Sequence, residues 1–387
     1  MTQDAPVRLG IVGHGVQGGS YARLIAAGEV EGMVLGAICD HDPAKRAIAD
    51  EYGVPFYTDH QSLIASGDAD AVVATVPHYQ HPEVVIAALE GGLHALAEKP
   101  AAVYAAQVRE MNAVAAAHPE LTYAIMFNQR TNPLYRRIKE IVDAGEIGAI
   151  RRSSWIITTW WRPQLYYEQS AWRATWGGEG GGVLVNQSPH QLDLWQWICG
   201  MPRSVTAKLA FGFRRDIVVE DEATILADYG GGVTGTFITA THDPVGTDRF
   251  EILGDRGKIV VDGSAVATVT RLDDDEQVLS ANVRPDQLYS LVSGGDAEKP
   301  YTEETIDTSS GWGGQHQEVL RNFAANIRTG EPLIAPGSDG INGVTLANAA
   351  HLSAWLGHEV PVDYDETVYL RELNARIRAE GMFPERV

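Results

Sequence analysis

The first 130 residues alternate short apolar runs with segments whose apolar positions recur at helical spacing, which is typical of a parallel sheet flanked by helices. The apolar runs predict strands at residues 7–12, 34–39, 56–57, 71–74, 94–97 and 123–127. The intervening patterns predict helices at residues 17–27, 43–51, 82–90 and 104–117. Residues 1–130 are therefore predicted to form a doubly wound α/β domain.

Beyond residue 150 the pattern changes, because strand-like runs follow one another directly. Strands are predicted at residues 151–161, 205–213, 222–228, 234–241, 250–253 and 258–261. Consecutive strands favour antiparallel pairing, so residues 131–387 are predicted to form a second domain on a largely antiparallel sheet. Its helices are expected at residues 189–198, 316–328, 343–356 and 366–379. The acidic stretch 273–308 is expected to be a solvated excursion from the sheet.

Composition excludes several classes of protein. The 387 residues are 44% hydrophobic and 21% charged, which is ordinary globular usage. Their formal charge of −21 disfavours nucleic acid and anionic lipid as partners. The longest apolar runs are far shorter than the ~20 residues that span a bilayer. Because no secretory signal is visible and Cys39 and Cys199 lie far apart, a reducing cytoplasm is the expected location.

A glycine-rich turn follows the first predicted strand and opens the first helix, which is the context that a dinucleotide fingerprint requires. Gly13 permits a tight turn, Gly15 lets the backbone approach a pyrophosphate, and Gly18 allows close packing of helix on strand. The helix N-terminus, with Val16 and Gln17, offers unpaired amides to phosphate groups. A plain glycine-rich turn is the alternative, and the position of the motif in a predicted Rossmann domain disfavours it.

Asp40 ends the second predicted strand, about 20 residues beyond the fingerprint, where a carboxylate can bind both ribose hydroxyls of NAD. It would repel the 2′-phosphate of NADP, and no arginine follows immediately to receive that phosphate. NAD is therefore favoured over NADP. The alternative is that Asp40 caps the helix that begins at Pro43.

Two further motifs carry groups for acid–base chemistry. Lys99, in the sequence Glu98-Lys99-Pro100, follows the fifth strand at the ligand-binding edge of the sheet, where burial beside a cationic nicotinamide would lower its pKa. His190 begins a helix and lies one turn before Asp193, so that a neutral imidazole and a carboxylate share one face. The alternatives are a surface lysine paired with Glu98 and a buried, hydrogen-bonded histidine.

In their order and placement the motifs resemble the Gfo/Idh/MocA oxidoreductase family. The motifs are the glycine fingerprint, the loop from Val76-Pro77 to His81, Glu98-Lys99-Pro100, and the late glycine-rich segment with His190 and Asp193. The resemblance implies an N-terminal Rossmann domain that binds NAD, with Pro77, His81 and Glu98 beside the cofactor. It also implies a C-terminal α/β domain whose open, mostly antiparallel sheet often forms an oligomer interface, giving a homo-oligomer such as a dimer or tetramer.

By the same resemblance Lys99 and His190 are the catalytic residues. Asn186 stands where many members carry an aspartate, and an amide can orient a hydroxyl but cannot accept its proton. The proton would then pass to His190 or Lys99, and the sequence does not decide between them. Asn128 and Arg130 resemble the family's polar turn, although a structural ion pair explains Arg130 equally well.

Seven of the nine tryptophans fall between residues 155 and 197, interleaved with arginines and tyrosines. Aromatic faces and N–H groups suit a sugar pocket, although most of these rings are expected to fill the interface between helices and sheet. The candidates for substrate contact are Trp160, Trp161, Arg162, Trp172 and Arg173, beside Asn128, Asn186 and Asp193.

His78 and His81 lack a third partner at metal-binding spacing, so no metal is predicted. The sequence thus indicates an NAD-dependent dehydrogenase that oxidises a ring hydroxyl of a cyclic sugar, anhydrosugar or cyclitol to a ketone. Two alternatives keep NAD: a glycoside-cleaving enzyme that oxidises its substrate transiently, and a non-catalytic regulator, against which the presence of Lys99 and His190 argues.

Overall fold

The first sheet is a six-stranded parallel sheet. The computed structural model of the protein describes residues 5–293, 300–308 and 314–386. The strands of this sheet are β1 (Val7–Val12), β2 (Met33–Cys39), β3 (Phe56–Tyr57), β4 (Ala71–Ala74), β5 (His94–Ala97) and β6 (Tyr123–Ile125). They lie in the order β3-β2-β1-β4-β5-β6. The order reverses between β1 and β4, and ligands of such sheets bind at that point beyond the carboxyl ends of the strands.

Five helices connect these strands, and one of them was not predicted from the sequence. They are α1 (Val16–Ala26), α2 (Arg46–Tyr52), α3 (His60–Ser66), α4 (His81–Glu90) and α5 (Ala105–Ala117). The unpredicted helix is α3, which is too short to show a clear apolar period. Its local signals are Asp59, which caps it by accepting from the amide of Ser62, and Gly67, which ends it in a left-handed conformation.

The second sheet has nine strands and is mixed but mostly antiparallel. Its strands are β7 (Ile150–Ile157), β8 (Ser204–Phe211), β9 (Glu220–Gly230), β10 (Val233–Ala240), β11 (Asp248–Gly254), β12 (Gly257–Asp262), β13 (Val266–Leu272), β14 (Tyr301–Asp307) and β15 (Val360–Pro361). They lie in the order β14-β13-β12-β11-β7-β10-β9-β8-β15. Among these described strands, β7 and β10 alone pair in parallel, in the middle of the sheet. The α/β class predicted from the sequence, a parallel sheet followed by a mostly antiparallel one, is confirmed.

The remaining helices come after β6 in the chain. They are α6 (Pro133–Asp143), α7 (Gln164–Tyr167), α8 (Pro189–Cys199), α9 (Glu276–Ala281), α10 (Pro285–Ser293), α11 (Gln315–Thr329), α12 (Gly340–Leu356) and α13 (Glu366–Glu380). The prediction that 273–308 is only a solvated excursion was wrong, because β14 pairs with β13 and extends the sheet. Its charged side chains hid the strand, since an edge strand needs little apolar surface. Residues 294–299 of this stretch lie outside the described residues.

Within the described part of the chain, helices cover one face of the second sheet and leave the other open. Helices α8 and α12 pack on the covered face, where Trp155 stacks on Phe250 with ring centroids 4.3 Å apart. On the opposite face Leu226 is 51% exposed, and Ile156 and Ile238 are partly exposed. The described residues therefore leave an apolar strip along the centre of this face.

The end of the chain returns to the first sheet. Helix α11 packs Val319, Leu320 and Phe323 into the same core as Val7 and Leu9 of β1. The first sheet is thus completed by residues that come after the second one in sequence. Among the described helices, none is both long and apolar enough to span a bilayer.

Candidate active site

The turn between β1 and α1 leaves open space above a helix N-terminus. A side chain at Gly13, which has φ +96°, would lie 2.7 Å from the carbonyl oxygen of Thr75, and one at Gly18 would lie 2.1 Å from that of Gly13. Above Gly15, in contrast, a Cβ would meet nothing within 4 Å. Helix α1 has no side-chain cap, and Val16 in its first turn is 94% exposed. Gln17 follows in the same turn. This geometry fits a pyrophosphate bound to free backbone amides.

Asp40 follows β2 and lies beside this turn. Its carboxylate accepts from the amides of His14 at 2.8 Å and Asp42 at 3.0 Å, and from Nζ of Lys45 at 2.9 Å. Burial favours a higher pKa, but these hydrogen bonds outweigh it and hold the pKa of Asp40 below its usual value. The cap of the short 3-10 helix Pro43–Lys45 is Asp42, so Asp40 is not the cap. The contact with Lys45 was not predicted from the sequence.

Lys99 lies at the carboxyl end of β5 and reaches across to the second domain. Its Nζ donates to the main-chain oxygen of Asn186 at 2.9 Å. Glu98 is buried and accepts from Tyr21 Oη and from the Lys99 amide, so the geometry is not that of a surface pair between Glu98 and Lys99. Burial lowers the pKa of Lys99, and the charges of Arg173 and Arg162 act in the same direction against those of Glu98 and Glu179.

The glycine-rich segment before His190 forms an irregular turn whose backbone amides bind a buried carboxylate. Residues Val183–Gln187 form a π-helical turn, after which α8 starts. Buried Glu220 accepts from the amides of Gly182 at 2.9 Å and Leu184 at 3.0 Å. The side chain of Ser188 does not cap α8, because its Oγ donates to the carbonyl of Val183. The turn places the main-chain oxygen of Asn186 within hydrogen-bond distance of Lys99, and His190 follows four residues later.

His190 lies in the first turn of α8 and stays neutral. Its Nδ1 is buried and finds no hydrogen-bond partner among the described residues. Burial, followed by the charges of Lys99 and His316, holds the pKa of His190 well below its ordinary value. The ring of His316 also contacts buried Asn128, whose Nδ2 lies 3.1 Å from it. A neutral imidazole beside Lys99 can accept a proton.

Asp193 does not act with His190, contrary to the prediction from helical spacing. Both of its carboxylate oxygens accept from Arg130, at 2.7 and 2.8 Å, and both side chains are 1% exposed. Arg130 also bonds Asp339 at 2.6 Å. Asp193 is therefore corrected from a substrate-binding residue to a structural one, because its oxygens are engaged and enclosed. Of the two interpretations of Arg130, the polar turn and the structural ion pair, these contacts support the ion pair.

Glu179 is a site residue that the sequence analysis missed. Its side chain is buried, accepts from Asn186 Nδ2 and from the amide of Ala174, and lies 3.8 Å from Arg173. Burial raises the pKa of Glu179 to about 7 despite these hydrogen bonds. The one available signal was an acidic residue isolated within a run of glycines. Because Nδ2 of Asn186 donates to Glu179, the side-chain amide of Asn186 is fixed in orientation. Its side-chain oxygen does not bind Glu179.

The aromatic candidates divide into a core group and a pocket group. Trp155, Trp176 and Trp195 are buried in the core of the second domain. Trp172 packs edge-on against His78 with centroids 5.7 Å apart, and Trp160 and Trp161 remain partly or largely exposed. The guanidinium group of Arg173 lies over the ring of Trp172, and that of Arg162 lies over the ring of Tyr166.

His78 and His81 connect segments of the site, because their rings contact backbone carbonyl oxygens. His78 Nδ1 lies 3.0 Å from the carbonyl oxygen of Glu179. The ring of His81 contacts the carbonyl oxygens of Val76 and Pro100, each at 2.8 Å. The loop that begins at Val76 and Pro77 is therefore fixed against Lys99-Pro100. In the part of the chain that the structure describes, no three His, Cys, Asp or Glu side chains are grouped as metal ligands.

Comparison with known proteins agrees with this geometry. Myo-inositol 2-dehydrogenase of Thermotoga maritima is 24% identical over 360 residues, which cover 90% of this chain and 96% of the relative. Inositol 2-dehydrogenase 1 of Saccharopolyspora erythraea is 36% identical over 145 residues, 37% of this chain and 43% of the relative.

Solved structures share the fold over nearly the whole chain. Levoglucosan dehydrogenase in complex with NADH and levoglucosan aligns with a TM-score of 0.75 at 21% identity, covering 93% of this chain and 100% of that one. The WlbA dehydrogenase of Chromobacterium violaceum, in complex with NADH and UDP-GlcNAcA, aligns with a TM-score of 0.74 at 24% identity, covering 94% and 97%.

Two family models account for most of the sequence. Residues 7–125 match an oxidoreductase family with an NAD-binding Rossmann fold, and residues 135–260 match the Gfo/Idh/MocA C-terminal domain. The resemblance noted from the motifs is thereby confirmed, and the chain belongs to the Gfo/Idh/MocA family of NAD-binding oxidoreductases.

Proposed function

We propose that the protein is an NAD-dependent dehydrogenase that oxidises a ring hydroxyl of a cyclic sugar, anhydrosugar or cyclitol to a ketone. The observation that carries the proposal is the bond from Lys99 Nζ to the main-chain oxygen of Asn186, four residues before His190. This bond holds the ammonium beside the segment that leads into α8, where the charge of Lys99 also acts on the neutral imidazole of His190. The inositol dehydrogenases among the relatives support a cyclic polyol as substrate.

The cofactor would lie along the carboxyl edge of the first sheet. The glycine turn and the N-terminus of α1 would hold the pyrophosphate, and Asp40 the adenosine ribose. The loop of Pro77 and His81 and the Glu98-Lys99 segment border the place of the nicotinamide. NAD, when bound there, supplies the acceptor for the hydride.

The chain's own residues would then handle the hydroxyl. The Lys99 ammonium, held by the Asn186 carbonyl, donates a hydrogen bond to the substrate oxygen and stabilises the negative charge that develops on it. The neutral ring of His190 takes the hydroxyl proton. The side-chain oxygen of Asn186, oriented by Glu179, accepts from a neighbouring hydroxyl and fixes the ring. In reduction the same groups act in reverse.

A substrate panel tests the proposal. Wild-type protein is incubated with NAD or NADP and with pyranoses, anhydrosugars, cyclitols and glycosides, and reduced-nicotinamide absorbance is followed. Steady formation of NADH with one class of ring supports the dehydrogenase and identifies its substrate class. If NADH binds, as measured by tryptophan fluorescence, but no compound is oxidised, the proposal is wrong.

Removal of the Asp40 carboxylate should change cofactor preference. In Asp40→Ala we expect the Kd of NAD to rise by about 10-fold or more, since a hydrogen bond to a charged group contributes roughly 1.5–3 kcal/mol. The Kd of NADP should change less, because the repelling charge has gone while Lys45 stays. Fluorescence titration measures both constants, with Asp42→Ala as the control. Equal losses for both cofactors would refute the ribose assignment.

A second copy of the chain is proposed to cover the open face of the second sheet, giving a dimer or tetramer. The apolar strip of Ile156, Leu226 and Ile238 supports this interface, because exposed apolar area of this kind marks association sites. Sedimentation velocity should therefore give an oligomer for the wild type and a smaller species for Ile238→Asp. Leu165→Asp, an exposed position outside this sheet, is the matched control. A monomeric wild type would contradict the proposal.

A further inference from the structure

Two arginines converge on one aromatic ring in the segment that follows β7. The guanidinium carbon of Arg162 lies 5.1 Å from the ring centroid of Tyr166, and that of Arg173 lies 4.7 Å from the same centroid. Arg173 also lies 5.0 Å from the centroid of Trp172 and donates to the hydroxyl of Tyr166 at 2.8 Å. The ring of Tyr166 thus holds two positive charges near each other in a chain whose net charge is −21.

The backbone fixes Arg162 in this place. It lies in the segment that follows β7, and its amide donates to the carbonyl of Thr241, just beyond β10, at 2.8 Å. Because β7 and β10 are parallel, their carboxyl ends meet at the same edge of the second sheet. The carbonyl of Arg162 accepts from Nε of Arg215 at 2.7 Å, which adds another cation nearby.

Donors in this segment lack acceptors. Nε of Arg162 and Nε1 of Trp160 are both enclosed, and neither has a hydrogen-bond partner within the described ranges 5–293, 300–308 and 314–386. Arg162 also forms no ion pair with a described carboxylate, its NH1 bonding only the carbonyl of Trp161 at 3.1 Å. Enclosed donors without acceptors are unfavourable, so an acceptor supplied from outside the chain would stabilise them.

Around Lys99 the carboxylates of Glu98 and Glu179 are accompanied by the guanidinium groups of Arg162 and Arg173, so that three cations face two carboxylates. The nearest carboxylate to Arg173 is Glu179 at 3.8 Å, and its pKa of about 7 means that it is often protonated at neutral pH. Arg162 and Arg173 both act on the pKa of Lys99, which shows that the three cations share one region. This region therefore attracts an anion.

We propose that Arg162 and Arg173 form a subsite for an anionic group, a carboxylate or a phosphoryl group, carried by the sugar whose hydroxyl is oxidised. A guanidinium group can bind two oxygens of such a group at once, and no described carboxylate engages the terminal nitrogens of Arg162. This inference rests on the proposed dehydrogenase and adds that its substrate is a sugar acid or sugar phosphate rather than a neutral sugar.

Matched pairs of sugars test the subsite. The probes are D-glucuronate against D-glucose, D-galacturonate against D-galactose, and glucose 6-phosphate against glucose, each with NAD. A charge-assisted hydrogen bond contributes about 1.5–3 kcal/mol, so kcat/KM for the charged member should be about 10–100-fold higher. The uronates and the phosphate distinguish the two anionic groups.

Variants of Arg162 separate binding from folding. Arg162→Gln should lower kcat/KM for the charged sugar by about 10–100-fold, mainly through KM, and for the neutral sugar by less than about 3-fold. Arg162→Lys keeps the charge and should recover part of the loss. Arg136→Gln, on the exposed surface of α6, is the control for removal of an arginine, and thermal melting checks that each variant folds.

The outcomes for the subsite and for the dehydrogenase are distinct. If neutral sugars are oxidised as well as their charged partners and Arg162→Gln affects both equally, the subsite is refuted while the dehydrogenase stands. If no sugar yields NADH, the dehydrogenase is refuted, and the subsite is judged from fluorescence titration with glucuronate and glucose 6-phosphate in the presence of NADH. Binding of either that is lost in Arg162→Gln would support the subsite, and absence of binding of both to the wild type would overturn it.

Discussion

Replacement of His190 by alanine is expected to lower kcat by about 10²–10⁴-fold, the range that a positioned acid–base group contributes. Burial and the charge of Lys99 hold the pKa of the ring low, so it is unprotonated at pH 7 and offers a free ring nitrogen to the hydroxyl proton. The N-terminus of α1 and Asp40 are untouched, so the Kd of NADH should change by less than about 3-fold. Turnover of the substrate found in the panel and fluorescence titration with NADH measure the two quantities.

Two further variants identify the role of each group in the removal of the hydroxyl proton. Lys99→Ala should also remove turnover, because the oxygen that gains negative charge loses its cation. His118→Ala, a histidine at the end of α5 away from the site, is the control and should leave kcat unchanged. Near-normal turnover in His190→Ala would instead assign the proton to Lys99.

Replacement of Arg130 by alanine should lower the free energy of unfolding by about 3–5 kcal/mol, because it leaves the carboxylate of Asp193 buried without its partner. Asp339 loses a bond at the same time. The pair joins the turn after β6 to α8, so the loss falls at the junction of the two domains. Urea unfolding followed by circular dichroism measures the change.

Two further variants test whether burial is the cause. Arg109→Ala breaks the more exposed ion pair with Glu366 and should lower the free energy of unfolding by only about 0–1 kcal/mol. The double variant Arg130→Met with Asp193→Leu removes both charges and should recover much of the loss. A similar loss for Arg130→Ala and Arg109→Ala would contradict the interpretation.

Local patterns were sufficient to predict much of the fold. Each strand of the first sheet was placed within a few residues, because buried parallel strands are nearly continuous apolar runs bounded by polar turns. Lys99 and the glycine fingerprint were found for a related reason, since each directly follows such a strand. The edge strand β14 was missed because its side chains are mostly polar and exposed.

Contacts between distant segments could not be predicted in this way. Helical spacing correctly put His190 and Asp193 on one helix, but the partner of Asp193 is Arg130, 63 residues earlier in the chain. Glu179 was missed for the same reason, because only the fold encloses it beside Asn186 and Arg173. A sequence period reports which face of an element is apolar and carries no information about which charged group will lie opposite.

Because α11 packs on the first sheet, this sheet cannot complete its core early in translation. The side chains of Val319, Leu320 and Phe323 fill the core against β1, and they are synthesised about three hundred residues after that strand. The nucleotide-binding half therefore emerges from the exit tunnel with part of its apolar core still open to water. It reaches its final packing only when translation of the second half is nearly over.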